Sequence, residues 1–343
     1  MEHMIRASWL LLLLCILAGP MRAQTAAAPA HASTAAVTLA PVSVTGVQLG
    51  PGLWKVSREG HVLWVLGTLT PLPEHMKWRS APVEKALAQS QELLEVPAAR
   101  LRLDTSAFGK LLLLPSAYDA RRNPDDATLQ QLLPSQTYAR WQAMQDQYGV
   151  HGWGSAHWRP IVAAFELYKA ALAKGGLTDA DEVAHAIEKL ARRHGVKRTP
   201  VEYEIVVAHP RDADETIRET QQQDIGCLQE TMDMVAHGVD ELAVRANAWS
   251  SGDVAALRGT SQEVAREACV VAAMNADFAR QLDMRDLPSR IDATWLYAAE
   301  QALARNATTF ATLPMDKLLS PDGPLARLEA EGYVVQPPDE ADP

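Results

Sequence analysis

The sequence predicts an α/β fold, a mixed central sheet whose strands come from both chain ends, with a large helical middle. Three observations carry this expectation. Residues 53–58 and 61–69 are β-branched and aromatic runs separated by Glu59-Gly60, which reads as a hairpin. Across residues 125–195 and 213–304 the apolar residues recur at helical spacing. Residues 309–313 and 332–336 then return to strand-like runs at the far end of the chain. A sheet assembled from both ends makes the helical middle an insertion or cover on one core, not an independent domain.

The elements follow in order. After the hairpin, residues 82–90 place Val83, Ala86 and Leu87 at helical spacing, and residues 92–96 form a short buried strand, which completes a strand–helix–strand unit. In the middle, three apolar helix faces stand out: Leu129, Leu132 and Leu133; Ile161, Val162, Phe165 and Tyr168; and Val183, Ile187 and Leu190. Pro134, Gly152 and Gly175-Gly176 interrupt them. Residues 202–207 read as a further strand, and residues 323–330 as the helix between the two closing strands. No internal repeat is present.

The beginning of the chain reads as a cleavable export signal over residues 1–23. Arg6 supplies a positive start, residues 9–18 form an uninterrupted apolar run, and Gly19-Pro20 breaks it just before the small residue Ala23. The run is too short to span a bilayer, which takes about 20 residues. Cys15 raises a lipoprotein alternative, against which Leu14 stands where a small residue is usual. Cleavage between residues 23 and 28 fits. Residues 24–48 carry no charge and few groups that bury well, the composition of a flexible linker. A single domain is expected over residues 49–337, followed by a polar tail, 338–343, expected to fray. The expected location is periplasmic or extracellular.

Composition narrows the partners. The chain of 343 residues is 48% hydrophobic and 22% charged, the balance of a folded protein, and carries a net charge of −10. Loss of residues 1–23 removes Arg6, Arg22 and Glu2, so the mature chain is more acidic still. An acidic surface lacks the cationic footprint that nucleic acid or anionic lipid requires, so neither is expected as a partner. No later segment is apolar enough to cross a membrane, and the sequence leaves the actual partner unknown. The mature chain keeps two cysteines, Cys227 and Cys269. In an oxidising compartment an isolated pair favours a disulfide, which over so long a loop stabilises by about 4 kcal/mol. A zinc site is the competing reading, without the short Cys-x-x-Cys spacing that marks one.

Strong catalytic motifs are missing. The sequence holds no Gly-x-x-x-x-Gly-Lys-Ser/Thr loop, no His-Glu-x-x-His, no Gly-x-Ser-x-Gly and no Cys-x-x-Cys. His151, His157, His185 and His194 read as surface or packing histidines. Asn306-Ala307-Thr308 is a glycosylation sequon.

A resemblance enters at the hairpin. Leu53-Trp54-Lys55-Val56 and the run from Val62 through Gly67-Thr68-Leu69-Thr70 resemble the opening of the TraB/GumN family, itself similar to the Tiki-type metalloproteases. Glu95 at the end of the next strand, Trp158-Arg159-Pro160, Val201-Glu202, and Asp322-Gly323 through Gly332-Tyr333-Val334-Val335 resemble further family features in the family's order. The match spans residues 51–336.

The resemblance implies a divalent metal held by two Gly-x-x-His motifs together with acidic residues, for which Glu95 and Glu202 are the candidates. In this chain Thr70 stands at the first histidine, Lys317 at the second, and Pro314 at the glycine preceding it. Of an Arg-Asn pair usual in the penultimate helix, Met274-Asn275 keeps only Asn275. Threonine is a feeble ligand and an ammonium repels a cation, so the expectation is that no metal is held and that Lys317 pairs with Glu95 or Glu202 instead. The function this implies is an exported binding or accessory module without metal-dependent catalysis. Two alternatives stay open: a divergent manganese, cobalt or zinc hydrolase or peptidase rebuilt around His75, Glu95 and Glu202, and an accessory role with polysaccharide.

Overall fold

The computed structural model describes residues 50–78, 80–103, 121–207, 221–237, 239–258 and 286–338. The expected signal peptide and linker, Cys269 and Asn275, and the tail beyond Pro338 lie outside these residues.

A six-stranded sheet carries the fold, in the order β10 (Val334–Gln336), β1 (Leu53–Arg58), β2 (His61–Thr68), β9 (Thr308–Pro314), β4 (Glu92–Leu94), β7 (Lys197–Thr199). Its first strands are the hairpin β1 (Leu53–Arg58) and β2 (His61–Thr68), paired antiparallel through the Glu59-Gly60 turn, where both residues take positive φ. Glycine tolerates that conformation without penalty, which is why the turn falls there. Helix α1 (Ala81–Ala88) buries Val83, Ala86 and Leu87 as expected and leads into β4 (Glu92–Leu94). From the far end of the chain come β9 (Thr308–Pro314) and β10 (Val334–Gln336). Strand β9 inserts between β2 and β4, parallel to both, while β10 pairs with β1 at the edge.

Strand β7 (Lys197–Thr199), not anticipated from its polar sequence Lys-Arg-Thr, closes the other edge beside β4. The parallel pairing then runs on through a break into a separate ribbon of β5 (Ala98–Leu103) and β8 (Glu202–Val207). Leu94 pairs with Thr199 before the break and Ala98 with Glu202 after it, so the first strand carries one residue more across the gap. Pro97 and Pro200 stand in the two gaps, where their missing N–H groups cannot continue a ladder. The short strands β3 (Leu72–Pro73) and β6 (Leu177–Thr178) form a further two-stranded pair.

The helical middle builds its own apolar cluster. It contains α2 (Leu129–Leu132), α3 (Ser135–Tyr148), α4 (Pro160–Lys174) and α6 (Gln221–His237), with α5 (Glu182–His194) packed instead on the sheet side. The expected face of α4 is displaced. Phe165 is 51% exposed, and the helix buries Ala163, Ala164, Leu167 and Ala171, which face Leu228 and Met232 within the same cluster. Alanines let two helices approach closely, a benefit that a hydrophobicity count passes over. Cys227, buried on α6, is disulfide-bonded. The remaining helices are α7 (Val239–Ser251), α8 (Val254–Arg258), α9 (Leu287–Arg305), α10 (Met315–Leu319) and α11 (Pro324–Ala330). No described helix is long and apolar enough to cross a membrane.

Candidate functional site

Strands β2, β9, β4 and β7 are parallel, so their carboxyl ends share one edge of the sheet. Open α/β sheets place their sites along that edge. Four sequence candidates follow from these strand ends: Thr70 beyond β2, Lys317 beyond β9, Glu95 beyond β4, and Glu202 beyond β7 at the start of β8. The topology therefore collects them on one side of the sheet. Their partners differ.

Gly67 brings the ends of β2 and β9 together. A Cβ at this position would lie 2.3 Å from Met315 Cε, so only glycine lets α10 settle on β2 undisturbed. Its carbonyl accepts a hydrogen bond from the indole of buried Trp249 at 2.8 Å. Thr70 is half-buried and precedes a cis peptide bond to Pro71.

In the first turn of α10, Lys317 Nζ lies 3.6 Å from Asp292 Oδ2. The expected pairing with Glu95 or Glu202 is thus replaced by an aspartate on α9. Asp292 is buried, and burial raises its pKa above the usual aspartate value, opposed by the charges of Lys317 and Arg327. The sequence carried a signal for it: Asp292 falls on the stripe with Trp295, Ala299 and Ala302, a carboxylate on an otherwise buried helix face.

Glu95 reaches a different cation. Its carboxylate lies 2.5 Å from Arg198 Nη2, and the same guanidinium donates to Glu188 Oε2 on α5 at 2.7 Å. The Glu95 N–H donates to the carbonyl of Thr199, which fixes it at the break in the parallel ladder. Glu202 turns outward and binds Arg100 at 2.8 Å, above a second pair, Arg102 with Glu204 at 2.7 Å, along the exposed face of the ribbon. His75 is exposed and faces Glu182, its backbone N–H donating to Oε2 at 2.9 Å while the ring Nδ1 lies 3.6 Å from Oε1.

Two further carboxylates escaped the sequence reading. Asp181 caps α5 by accepting the Ala184 N–H at 2.8 Å, and its side chain hydrogen-bonds Thr68 at the end of β2. Burial pushes its pKa upward against those bonds. Glu92, at the opposite end of β4, is buried and receives hydrogen bonds from Lys197, Thr199 and Asn306. Burial opposes its ionisation, yet these donors outweigh it and hold the pKa at about 2.

A model of the TraB/PrgY/gumN family matches residues 52–337. The chain belongs to the TraB/PrgY/gumN family. Neither a curated protein nor a solved structure matches it. For a TraB/PrgY/gumN member, the donors at the carboxyl edge fit a divalent metal poorly: an ammonium stands at Lys317, and the carboxylates of Glu95 and Glu202 are each engaged by an arginine. Among the described residues no cluster of three or more His, Cys, Asp or Glu side chains is arranged to hold a metal ion.

Proposed function

We propose that this TraB/PrgY/gumN protein is an exported pseudoenzyme, a binding or accessory module in the periplasm or outside the cell that works without metal-dependent catalysis. The observation that supports the reading is the Lys317–Asp292 pair. A cation brought against a buried carboxylate at the end of β9 supplies the charge compensation that a bound metal would otherwise give, and it excludes the metal by repulsion. Arg198, shared between Glu95 and Glu188, acts in the same sense at the end of β4. In the exported protein we pair Cys227 with Cys269.

The test is metal content followed by a rebuilt site. The purified protein is expected to carry no stoichiometric transition metal and to show no calorimetric signal with manganese, cobalt or zinc. Thr70→His with Lys317→His should then raise metal affinity by more than either change alone, because it adds two imidazoles and removes a repelling charge. Pro314→Gly is added to that pair to free the loop. Tight binding by the unmodified protein would overturn the proposal in favour of a rearranged metal hydrolase.

A further inference from the structure

Away from the sheet edge, at the entrance to α4, a cleft of about 170 Å³ is lined by Arg121, Arg122, Trp153, Gly154 and Trp158. Its most unusual member is Trp153, which is 87% exposed. A tryptophan offers more apolar surface than almost any side chain, and leaving it in water forgoes the gain from covering it. A flat ring presented to solvent beside guanidinium groups is an arrangement that ligands complete.

The cleft is also built rather than incidental. Arg122 and Trp158 form an antiparallel bridge, flanked by the Asn123 N–H donating to the His157 carbonyl at 2.9 Å and the Arg159 N–H donating to the Arg121 carbonyl at 2.9 Å. Asn123 Nδ2 adds a bond to the Trp158 carbonyl at 2.8 Å. Behind the bridge, Arg159 is buried in an ion pair with Asp224 at 2.6 Å. Trp153 sits between two glycines. A Cβ at Gly152 would lie 2.6 Å from the Trp158 ring, and Gly154 takes φ +75° in front of the Arg122 guanidinium. Both glycines let the loop carrying Trp153 close over Trp158 and Arg122.

Charge defines what enters. Arg121 holds Glu166 at 3.2 Å and Arg122 holds Asp126, so both guanidiniums already bind carboxylates of the protein. The Arg121 guanidinium has five N–H donors in a fixed fork, and its one bond to Glu166 leaves some of them for a ligand. Arg121 is 52% exposed and so remains within reach of a ligand, while Arg122 lines the cleft as a second positive charge. The fork matches a planar carboxylate, and the cleft volume is that of one ring rather than of a drug-sized ligand.

We propose that this cleft binds a single ring bearing a carboxylate, the ring stacking on Trp153 and the carboxylate taken by the Arg121 fork, with the charge of Arg122 beside it. Two sources share that chemistry, a carboxylated sugar and an aromatic acid. The site stands on residues of the helical middle and holds whether or not the sheet edge is catalytically silent.

Isothermal titration of the purified protein with glucuronate and with benzoate, against glucose, benzyl alcohol and inorganic phosphate, tests it. Saturable binding is expected for at least one carboxylate, tenfold or more tighter than for its neutral counterpart or for phosphate, on the scale of about 1.4 kcal/mol per tenfold. Which acid binds tells the sugar from the aromatic source. Trp153→Ala and Arg121→Gln should each weaken that binding about fivefold or more with the thermal midpoint unchanged, since both side chains are largely exposed. Failure of both acids to bind, equal binding of the neutral rings or of phosphate, or indifference to Trp153→Ala overturns the proposal.

Discussion

Lys317 on α10 and Asp292 on α9 meet at 3.6 Å beneath the carboxyl end of β9, and each is the other's charge partner in a largely buried setting. Lys317→Met leaves that carboxylate without its nearest cation, and the expected loss is about 3 kcal/mol in denaturant unfolding. Asp292→Asn in the same background should recover most of it. Because burial raises the folded pKa of Asp292, its contribution is fully present below the unfolded value and is lost as pH rises through the folded one. The Lys317→Met deficit should therefore shrink at acidic pH. Additive single and double changes would show that the two residues are uncoupled.

Glu92 gives the opposite sign. Its folded pKa is lowered from 4.5 to about 2, so its stabilisation is present above the unfolded value and is lost as pH falls toward 2. Glu92→Gln should cost about 2–3 kcal/mol at neutral pH and flatten the acid limb of the stability curve between those two values. An unchanged acid limb would mean that other carboxylates set it.

Gly67→Ala should destabilise by about 1–3 kcal/mol, because the added methyl meets the buried end of Met315. Shortening the obstacle with Met315→Ala should make the second change, Gly67→Ala, nearly neutral in that background. A full cost in both backgrounds would point to backbone strain at this position instead.

Thiol alkylation of the native protein should leave Cys227 unmodified until a reductant is added, and reduction should then expose one pair, Cys227 with Cys269. Peptide mapping identifies the partner. Two freely alkylated thiols in the native protein would remove the proposed pairing.

The sheet was legible where a strand is buried on both faces. Residues 62–66 and 309–313 are continuous apolar or β-branched runs, and both became central strands. Strand β7 was not, because an edge strand of Lys-Arg-Thr is held by backbone pairing with β4 and by Glu92, neither of which leaves a local pattern. The same limit governs the site. Strand ends could be inferred from Thr70, Glu95, Glu202 and Lys317, which topology gathers on one edge. Their partners could not: Asp292 is 25 residues away from Lys317, and Arg198 meets Glu95 only because β7 lies beside β4. Trp153 left no periodic signal at all, being a single residue in a turn.

The position of β9 has a consequence for the order of events when the chain is made. It is the neighbour of both β2 and β4, yet it lies near the end of the sequence. A ribosome must therefore have passed residue 314 before those two strands can join one sheet. Contacts of such long sequence separation form late and leave apolar strands waiting for their partner. Removing residues from 308 onward should produce not a smaller folded protein but an aggregating one, and a chain carried through a membrane from its first residue would still be unfolded when its last segment arrived.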